Sequence, residues 1–535
     1  MAKFIFFTGG VVSGLGKGIT AASLGRLLKD RGLSVKMLKL DPYFNMDSSF
    51  ISPYQHGEIF VTADGVDTDA VVGHYERILN TNMNRDTVVT IGQIYHFVVE
   101  KERNGAYKGQ TVQIIPHITD EIKRRIRSLA TDENDIVITE IGGTVGDIEC
   151  TPFLEAIRQI QSDEETGGRH NVVYIHSTLL PFIESSQEQK TKPTQRSVKE
   201  LQDIGIEPDV IICRSEQPVA DGSKQRLATH CNVGSGSILH LPINEEIYQI
   251  PLSLEKEGLA DLVLKKLRLP LSVPNLSAWN VYVEKASKAK KSLQKIKIGI
   301  VGKYTTKHDA YESICEALTY SALDTNKGIE FVWIASDDLT LSNVKKRLNG
   351  IDGIVVPAGF GSRGFEGKKA ACEYARKTNL PLLSFGMGAQ AAVCAFLESV
   401  CGIKAVSEEF FKNGKTENET IVVRHIYPND KQKFKRGTFT SYIVDKNSIL
   451  YRTYKKDEIE ERHRHKFEVD PKFKEVMDKA GLTVTAVSES KKAPEVFEIK
   501  NHKFFVGVLF RPEFTARPDA PHPLLSAFMK VVAGG

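Results

Sequence analysis

"FIFFTGGVVSGLGKGIT", residues Phe4 to Thr20, joins an apolar β-type run to a glycine-rich loop, and a lysine opens the helical pattern that follows. The loop is Gly9-Gly10-Val11-Val12-Ser13-Gly14-Leu15-Gly16-Lys17-Gly18. It departs from the strict GxxxxGK[ST] pattern, because Val11 and Gly18 stand where the first glycine and the magnesium-binding hydroxyl would be. The physical requirements still hold. Glycines let backbone N–H groups approach phosphate oxygens, a helix N-terminus favours anions, and Lys17 adds a positive charge. Strand, loop, helix and lysine in that order predict a phosphate site.

Outward from this stretch the chain alternates strand-like and helix-like segments. Ile19, Ala22, Leu24, Leu27 and Leu28 make one helical stripe. "SVKMLKLDPY" (34–43), "DIVITEIGG" (135–143), "NVVYIHSTLL" (171–180) and "DVIICRS" (209–215) read as strands, and "HITDEIKRRIRSLA" (117–130) reads as a helix. The alternation predicts an α/β fold with a parallel sheet covered by helices. Residues 267–280 carry two prolines, and the Lys/Ser-rich run Lys285 to Lys297 follows. That places a linker at 269–294 between a domain at 1–268 and a second α/β domain at 295–535, which opens with "KIGIVGKY" (297–304).

Composition excludes several classes. The balance of 71 basic and 67 acidic residues shows no basic stripe with interleaved aromatics, so no nucleic-acid partner is expected. No apolar run reaches membrane-spanning length, and the N-terminal run lacks the pattern of a signal peptide. The seven cysteines are scattered without a CxxC pair, as suits a reducing compartment. A cytoplasmic protein is expected.

Without a loop hydroxyl, magnesium needs carboxylates from elsewhere. Glu140 sits at the carboxyl end of a predicted strand, where ligands of open sheets gather, and Asp64, Asp67 and Asp69 cluster in "DGVDTDAVVGHYE". Lys190 and Lys192, two apart before Pro193, would project from one side of an extended segment and suit a second triphosphate. In the second half, "PLLSFGMGAQAAVCAF" (381–396) reads as a strand, a sharp turn and a helix. Such a turn presents a nucleophile in several hydrolytic folds, but its apex here is Gly386, which has no side chain.

"TGGVVSGLGKG", "LKLDPY", "QHGEIFVTADG", "GHYER", "GQTVQIIPHITDEIK", "EIGGTVGDIE", "KTKPTQRSVKEL" and "ICRS" together resemble the synthetase domain of CTP synthase. "VGKY", "VPAGFGSRGFEGK", "RHRHKFEV" and "PEFTARPDAPHPLL" resemble that family's glutamine amidotransferase domain. The resemblance spans essentially the whole chain. It implies a P-loop-type synthetase domain, a triad-type amidotransferase domain, a homotetramer, ATP and Mg2+ as cofactors, and UTP as substrate. By position, Gly14, Leu15, Gly16, Lys17, Gly18 and Ile19 would cradle ATP, with Lys17 and Lys39 as the catalytic cations. Glu140, helped by Asp69, would hold magnesium. Ser13, Asp147, Ile148, Glu149, Lys190, Thr191, Lys192, Pro193, Thr194, Gln195 and Arg226 would bind UTP or CTP.

Three positions depart from the family. Gly386 replaces the nucleophilic Cys, Arg511 replaces the general-base His, and Val71 aligns with a magnesium-binding Asp. Without a thiolate no glutamyl thioester forms, and a guanidinium cannot accept the proton. Ala358 also enters the oxyanion turn, where it would tolerate positive φ poorly. The remnant pocket is expected to comprise Gly359, Gly386, Gln390, Glu409, Arg464, Arg511 and Glu513. The expected activity is ATP-dependent amination of UTP at the uracil 4-position, drawing on free ammonia or another amine rather than glutamine. The alternatives are a ligase joining an amino acid or other amine to UTP, and a non-catalytic nucleotide-binding paralogue. If Val71 lies in an extended segment, Asp69 would share its face and could supply the missing ligand.

Overall fold

The computed structural model describes residues 2–410, 419–489 and 493–534. Its chain divides into two compact units, Met1–Ser48 with His74–Asn280, and Ser49–Gly73 with Val281–Gly535.

The first unit is built on seven parallel strands: β1 Lys3–Gly9, β2 Val35–Asp41, β3 Val88–Thr90, β4 Ile136–Ile141, β5 Val172–Leu179, β6 Val210–Ser215 and β7 Ile238–Pro242. Their order is β7-β6-β5-β1-β4-β2-β3. Helices cover both faces, so the central strands are buried throughout and read as continuous apolar runs rather than alternating ones. Phe4, Phe6, Leu38 and Leu40 share one core with Ile94, Ile122 and Phe153 from the flanking helices. Four helices of this unit carry or border the site: α1 Lys17–Lys29, α2 Ala70–Leu79, α3 Lys192–Asp203 and α4 Asp221–Cys231. The division between the units falls within α2, between Gly73 and His74.

The second unit holds a nine-stranded sheet: β8 Lys295–Gly302, β9 Gly328–Ala335, β10 Gly353–Val356, β11 Leu382–Phe385, β12 Lys435–Ile443, β13 Glu458–His465, β14 Leu482–Ser488, β15 Pro494–Ile499 and β16 Phe505–Val508. Its order is β9-β8-β10-β11-β16-β15-β14-β12-β13. The first five strands in that order pair in parallel, and β15, β14, β12 and β13 extend the sheet antiparallel. The α/β class is as the sequence implies; the antiparallel extension was not legible there.

Two features differ from the sequence reading of domains. Residues Ser49–Gly73 group with the second unit, although they interrupt the first in sequence. The expected linker contains helix α5, Ser277–Lys291, where buried Trp279 donates its indole N–H to the Tyr248 carbonyl at 2.9 Å. The basic residues of this stretch lie on a helix whose apolar side is packed, so composition alone mistook a solvated helix face for loose chain.

Candidate functional site

β1 delivers the chain to the phosphate loop and α1 leaves it with Lys17 as its first residue. Gly14 and Gly16 have φ of 75° and 77°, which folds the loop back toward the helix N-terminus. Lys17 Nζ donates to the Ile141 carbonyl at 3.0 Å and to the Gly143 carbonyl, at the carboxyl end of β4. Burial lowers its pKa, against the opposing pull of Glu140.

Parallel register sets Lys39 of β2 beside Glu140 of β4. Lys39 pairs with Asp41 at 3.0 Å, and Tyr75 of α2 donates its hydroxyl to Glu140. Lys17, Lys39, Asp41 and Glu140 thus gather where the carboxyl ends of β2 and β4 meet the start of α1. Asp41 and Tyr75 escaped the sequence reading. The alternation of β2, which puts positions 39 and 41 on one face, could have flagged Asp41; nothing local flags Tyr75.

Buried, hydroxyl-supported Glu140 beside two lysines suits one carboxylate ligand to a phosphate-bound magnesium ion. The extended geometry expected at Asp69 gives way to a helix start. Helix α2 begins at Ala70, so residues 69 and 71 share no extended face. Asp69 Oδ1 instead accepts the Val71 N–H at 3.2 Å, a helix-start contact in the segment grouped with the second unit. Among the described residues no group of three or more His, Cys, Asp and Glu converges as a metal cage.

A cavity of about 800 Å³ opens beside the loop, lined by Val11, Thr144, Lys192, Gln195, Ser197 and His230 among others. Lys190 and Lys192 do not form an extended pair. α3 starts at Lys192 because Pro193 fits the first turn of a helix, where its missing N–H costs nothing, and Lys190 pairs with Glu188. Gln195 N–H bonds the Thr191 carbonyl at 3.0 Å, and Thr194 Oγ1 donates to the Leu179 carbonyl at 3.1 Å. Asp147 accepts the Thr144 N–H at 3.1 Å, while Ile148 next to it and Glu149 beyond are exposed. Ser13 is exposed on the loop. Arg226 is exposed on α4, and His230, one turn along, reaches the cavity wall. His230 was missed, although its spacing from Arg226 places both on one helix face.

In the second unit β11, Gly386 and helix α6 (Met387–Cys401) form the sharp turn. Gly386 has φ 50° and ψ −113°, and a Cβ there would lie 3.1 Å from Ala358 Cβ. The left-handed φ of the adjoining turn falls at Gly361, not Ala358. Lys368 Nζ donates to the Pro357 carbonyl at 2.5 Å, and Lys303 Nζ to those of Phe360 and Gly361 at 2.6 Å each. The Gly361 N–H reaches Glu409 at 2.6 Å, and Gln390 donates to the Phe467 carbonyl at 3.0 Å. Among the described residues no substitute nucleophile sits at the turn. Ser384 is buried in β11, and burial pushes the Cys394 thiol up to about 12.

Arg511 pairs with Glu513 and lies 3.7 Å from Glu58, whose other oxygen accepts the Ser313 N–H at 2.9 Å. Burial drives the Glu58 carboxyl up to about 7, although Arg511 opposes it. Arg464 is engaged in an ion pair and is not among the residues lining the cavity at Phe360 and Glu409. Its guanidinium grips Asp67 at 2.9 and 3.1 Å. Burial would raise the Asp67 carboxyl, but Arg464 and Arg436 hold it below the ordinary range. A cavity of about 540 Å³ is lined instead by Phe360, Glu409, Phe434, Lys466 and neighbours. Lys466, two residues past Arg464, lines that cavity.

A glycine-rich loop and a lysine–carboxylate cluster on a parallel sheet, joined in one chain to an amidotransferase-type elbow, define a two-part nucleotide-binding α/β protein. Residues 3–269 match the family described as CTP synthase N-terminus, and residues 307–531 match class-I glutamine amidotransferase. The chain is 46% identical over 537 residues to a CTP synthase of Caldanaerobacter subterraneus, covering 99% of this chain and 98% of that one. It is 44% identical over 544 residues to a CTP synthase of Methanocaldococcus jannaschii, with the same coverage. A solved glutaminase domain of Trypanosoma brucei CTPS with bound acivicin is 34% identical and covers 45% of this chain and 94% of that one, at a TM-score of 0.42. The chain belongs to the CTP synthase family.

Proposed function

We propose that this protein is an ATP-dependent C–N ligase that aminates UTP at the uracil 4-position and takes its nitrogen from free ammonia or another amine. One observation supports the choice of donor: the elbow apex is Gly386, and Arg511, at the position of the base, is tied to Glu513 beside Glu58. No thiol is offered there, and a guanidinium held by carboxylates takes no proton.

In this reading the γ-phosphoryl group of ATP passes to the uracil 4-oxygen, N3 of the ring gives up its proton, and ADP leaves. The amine nitrogen then bonds to C4, the C4–O bond breaks, phosphate departs, and a proton leaves the nitrogen. Lys17 and Lys39 balance charge spreading over the transferred phosphoryl group. Glu140, oriented by Tyr75, holds magnesium, which neutralises phosphate charge when bound. Gly14 to Ile19 cradle ATP. Ser13, Asp147 to Glu149, Lys190 to Gln195 and Arg226 receive UTP or CTP. A homotetrameric, cytoplasmic enzyme of pyrimidine nucleotide synthesis completes the reading; among the described residues no helix is long and apolar enough to cross a membrane.

A second reading, in which a larger amine or amino acid is the donor, draws on the cavity at Phe360, Glu409, Phe434 and Lys466, where a carboxylate and an ammonium could meet a zwitterion. The test is a product assay with ATP, magnesium and UTP, followed by mass spectrometry. CTP from ammonium chloride but not glutamine is expected, and a heavier cytidine nucleotide would identify another amine. CTP from glutamine would overturn the assignment of the donor. No product with any donor would leave a non-catalytic nucleotide-binding protein.

A further inference from the structure

His176 lies near the carboxyl end of β5, in register with Thr8 of β1, and both are buried. Thr8 Oγ1 and His176 Nδ1 are 2.9 Å apart. On the other side of the ring, His176 Nε2 and Ser197 Oγ are 2.8 Å apart. Thr8 is the last side chain before Gly9 and Gly10 of the phosphate loop. Ser197 is on α3, one turn beyond Thr194, and lines the 800 Å³ cavity with Val11 and Lys192.

Gly10 closes the arrangement. A Cβ there would meet Ser197 Oγ at 1.5 Å and His176 Nε2 at 3.2 Å, so the loop backbone rests on this serine and any side chain at position 10 would break the contact. Gly10 N–H also bonds the Ser177 carbonyl at 3.1 Å. Burial, with Lys17, pushes the ring down to about 3. A neutral imidazole donates once and accepts once, which matches one hydroxyl on each side. The three residues therefore form one continuous buried hydrogen-bonded path from the strand that carries the loop to the helix that carries Lys192 to Gln195.

We infer that His176 is a positioning residue that couples the two nucleotide subsites, so that filling the phosphate loop favours the placement of α3 that binds the second nucleotide. The inference rests on the reading above that the loop takes ATP and the 190–195 segment takes UTP. Neither Thr8 nor Ser197 is assigned to either ligand's binding set, so both serve as probes.

The experiment measures UTP binding to the full-length protein by calorimetry, with and without a non-hydrolysable ATP analogue and magnesium. It is repeated for Thr8→Val, Thr8→Ser and Ser197→Ala. In the wild type the analogue is expected to tighten UTP binding at least about 5-fold, the lower end of ordinary coupling between sites. Thr8→Val keeps the shape and removes the hydroxyl, and Ser197→Ala cuts the path at its other end. Each is expected to bring the factor below about 2 while each nucleotide alone still binds. Thr8→Ser restores the hydroxyl and should keep the wild-type factor. A structural role alone would lower melting temperature without removing the coupling. A wild-type factor near 1, or an unchanged factor in both Thr8→Val and Ser197→Ala, overturns the inference. Failure of the wild type to bind either nucleotide overturns the substrate assignment beneath it, and the inference with it.

Discussion

Two strand–turn–helix junctions in this chain share a plan and differ in what stands at the turn. After β1 the loop ends in Lys17, whose ammonium reaches the carboxyl end of β4 near Glu140. After β11 the turn holds Gly386 and nothing projects from it. The first junction gathers charge of both signs where the carboxyl ends of β2 and β4 meet the start of α1. At the second, charges are matched much as at the first, Arg511 with Glu513, Arg464 with Asp67, and Lys303 and Lys368 with turn carbonyls, but no side chain stands at the apex.

The largest effect should come from the first junction. Lys17→Met is expected to lower ammonia-dependent turnover by about 10²–10³-fold, the usual cost of removing one preorganised charge from a transition state. Steady-state rates, with circular dichroism as a fold control, measure it. A loss below about 5-fold would remove the contrast between the junctions.

Glu58→Gln sharpens the other side. Burial raises the folded pKa of Glu58 to about 7, so the folded protein holds a proton there that the unfolded chain loses at an ordinary carboxyl pKa. Wild-type stability should therefore fall as pH rises from about 4.5 to 7, and the glutamine variant escapes that loss. Above pH 7 the variant should be more stable by on the order of 2 kcal/mol, and the advantage should vanish near pH 4.5. Denaturant titrations at several pH values would show it. A variant less stable at pH 8 would mean that the Glu58–Arg511 attraction outweighs the burial of the carboxylate.

Tyr75→Phe removes the hydroxyl that orients Glu140. The magnesium concentration for half-maximal rate should rise about 10-fold, typical of losing a group that orients a metal ligand. Gly386→Cys should produce no glutamine-dependent CTP, because Arg511 remains at the base position. It should also destabilise by about 1–2 kcal/mol, since a side chain at φ 50° is strained and its Cβ crowds Ala358. Glutamine-dependent product from this single variant would break the comparison outright.

Much of this was legible before any coordinates. The phosphate loop reads locally because strand, glycines and lysine are consecutive, and the empty elbow reads from the missing side chain of Gly386. Other expectations failed where local continuation was assumed. Pro193 and Ala70 sit where helices begin, so neither the Lys190/Lys192 pair nor the Asp69/Val71 pair shares an extended face. Arg464 is drawn away to Asp67, a partner remote in sequence, while Lys466 lines the cavity.

The sequence by itself determined the α/β class, the glycine-rich strand–loop–helix junction and the absence of a thiol at the second turn, since each depends on residues adjacent along the chain. Tertiary structure alone decided which charges are matched. Asp67 meets Arg464, Glu58 meets Arg511, and His176 meets Thr8 and Ser197 across separations that no local pattern encodes. The reason is physical. A buried polar group must find its partner wherever the packed chain brings one, and that partner is fixed by the whole arrangement of strands and helices rather than by its neighbours in sequence.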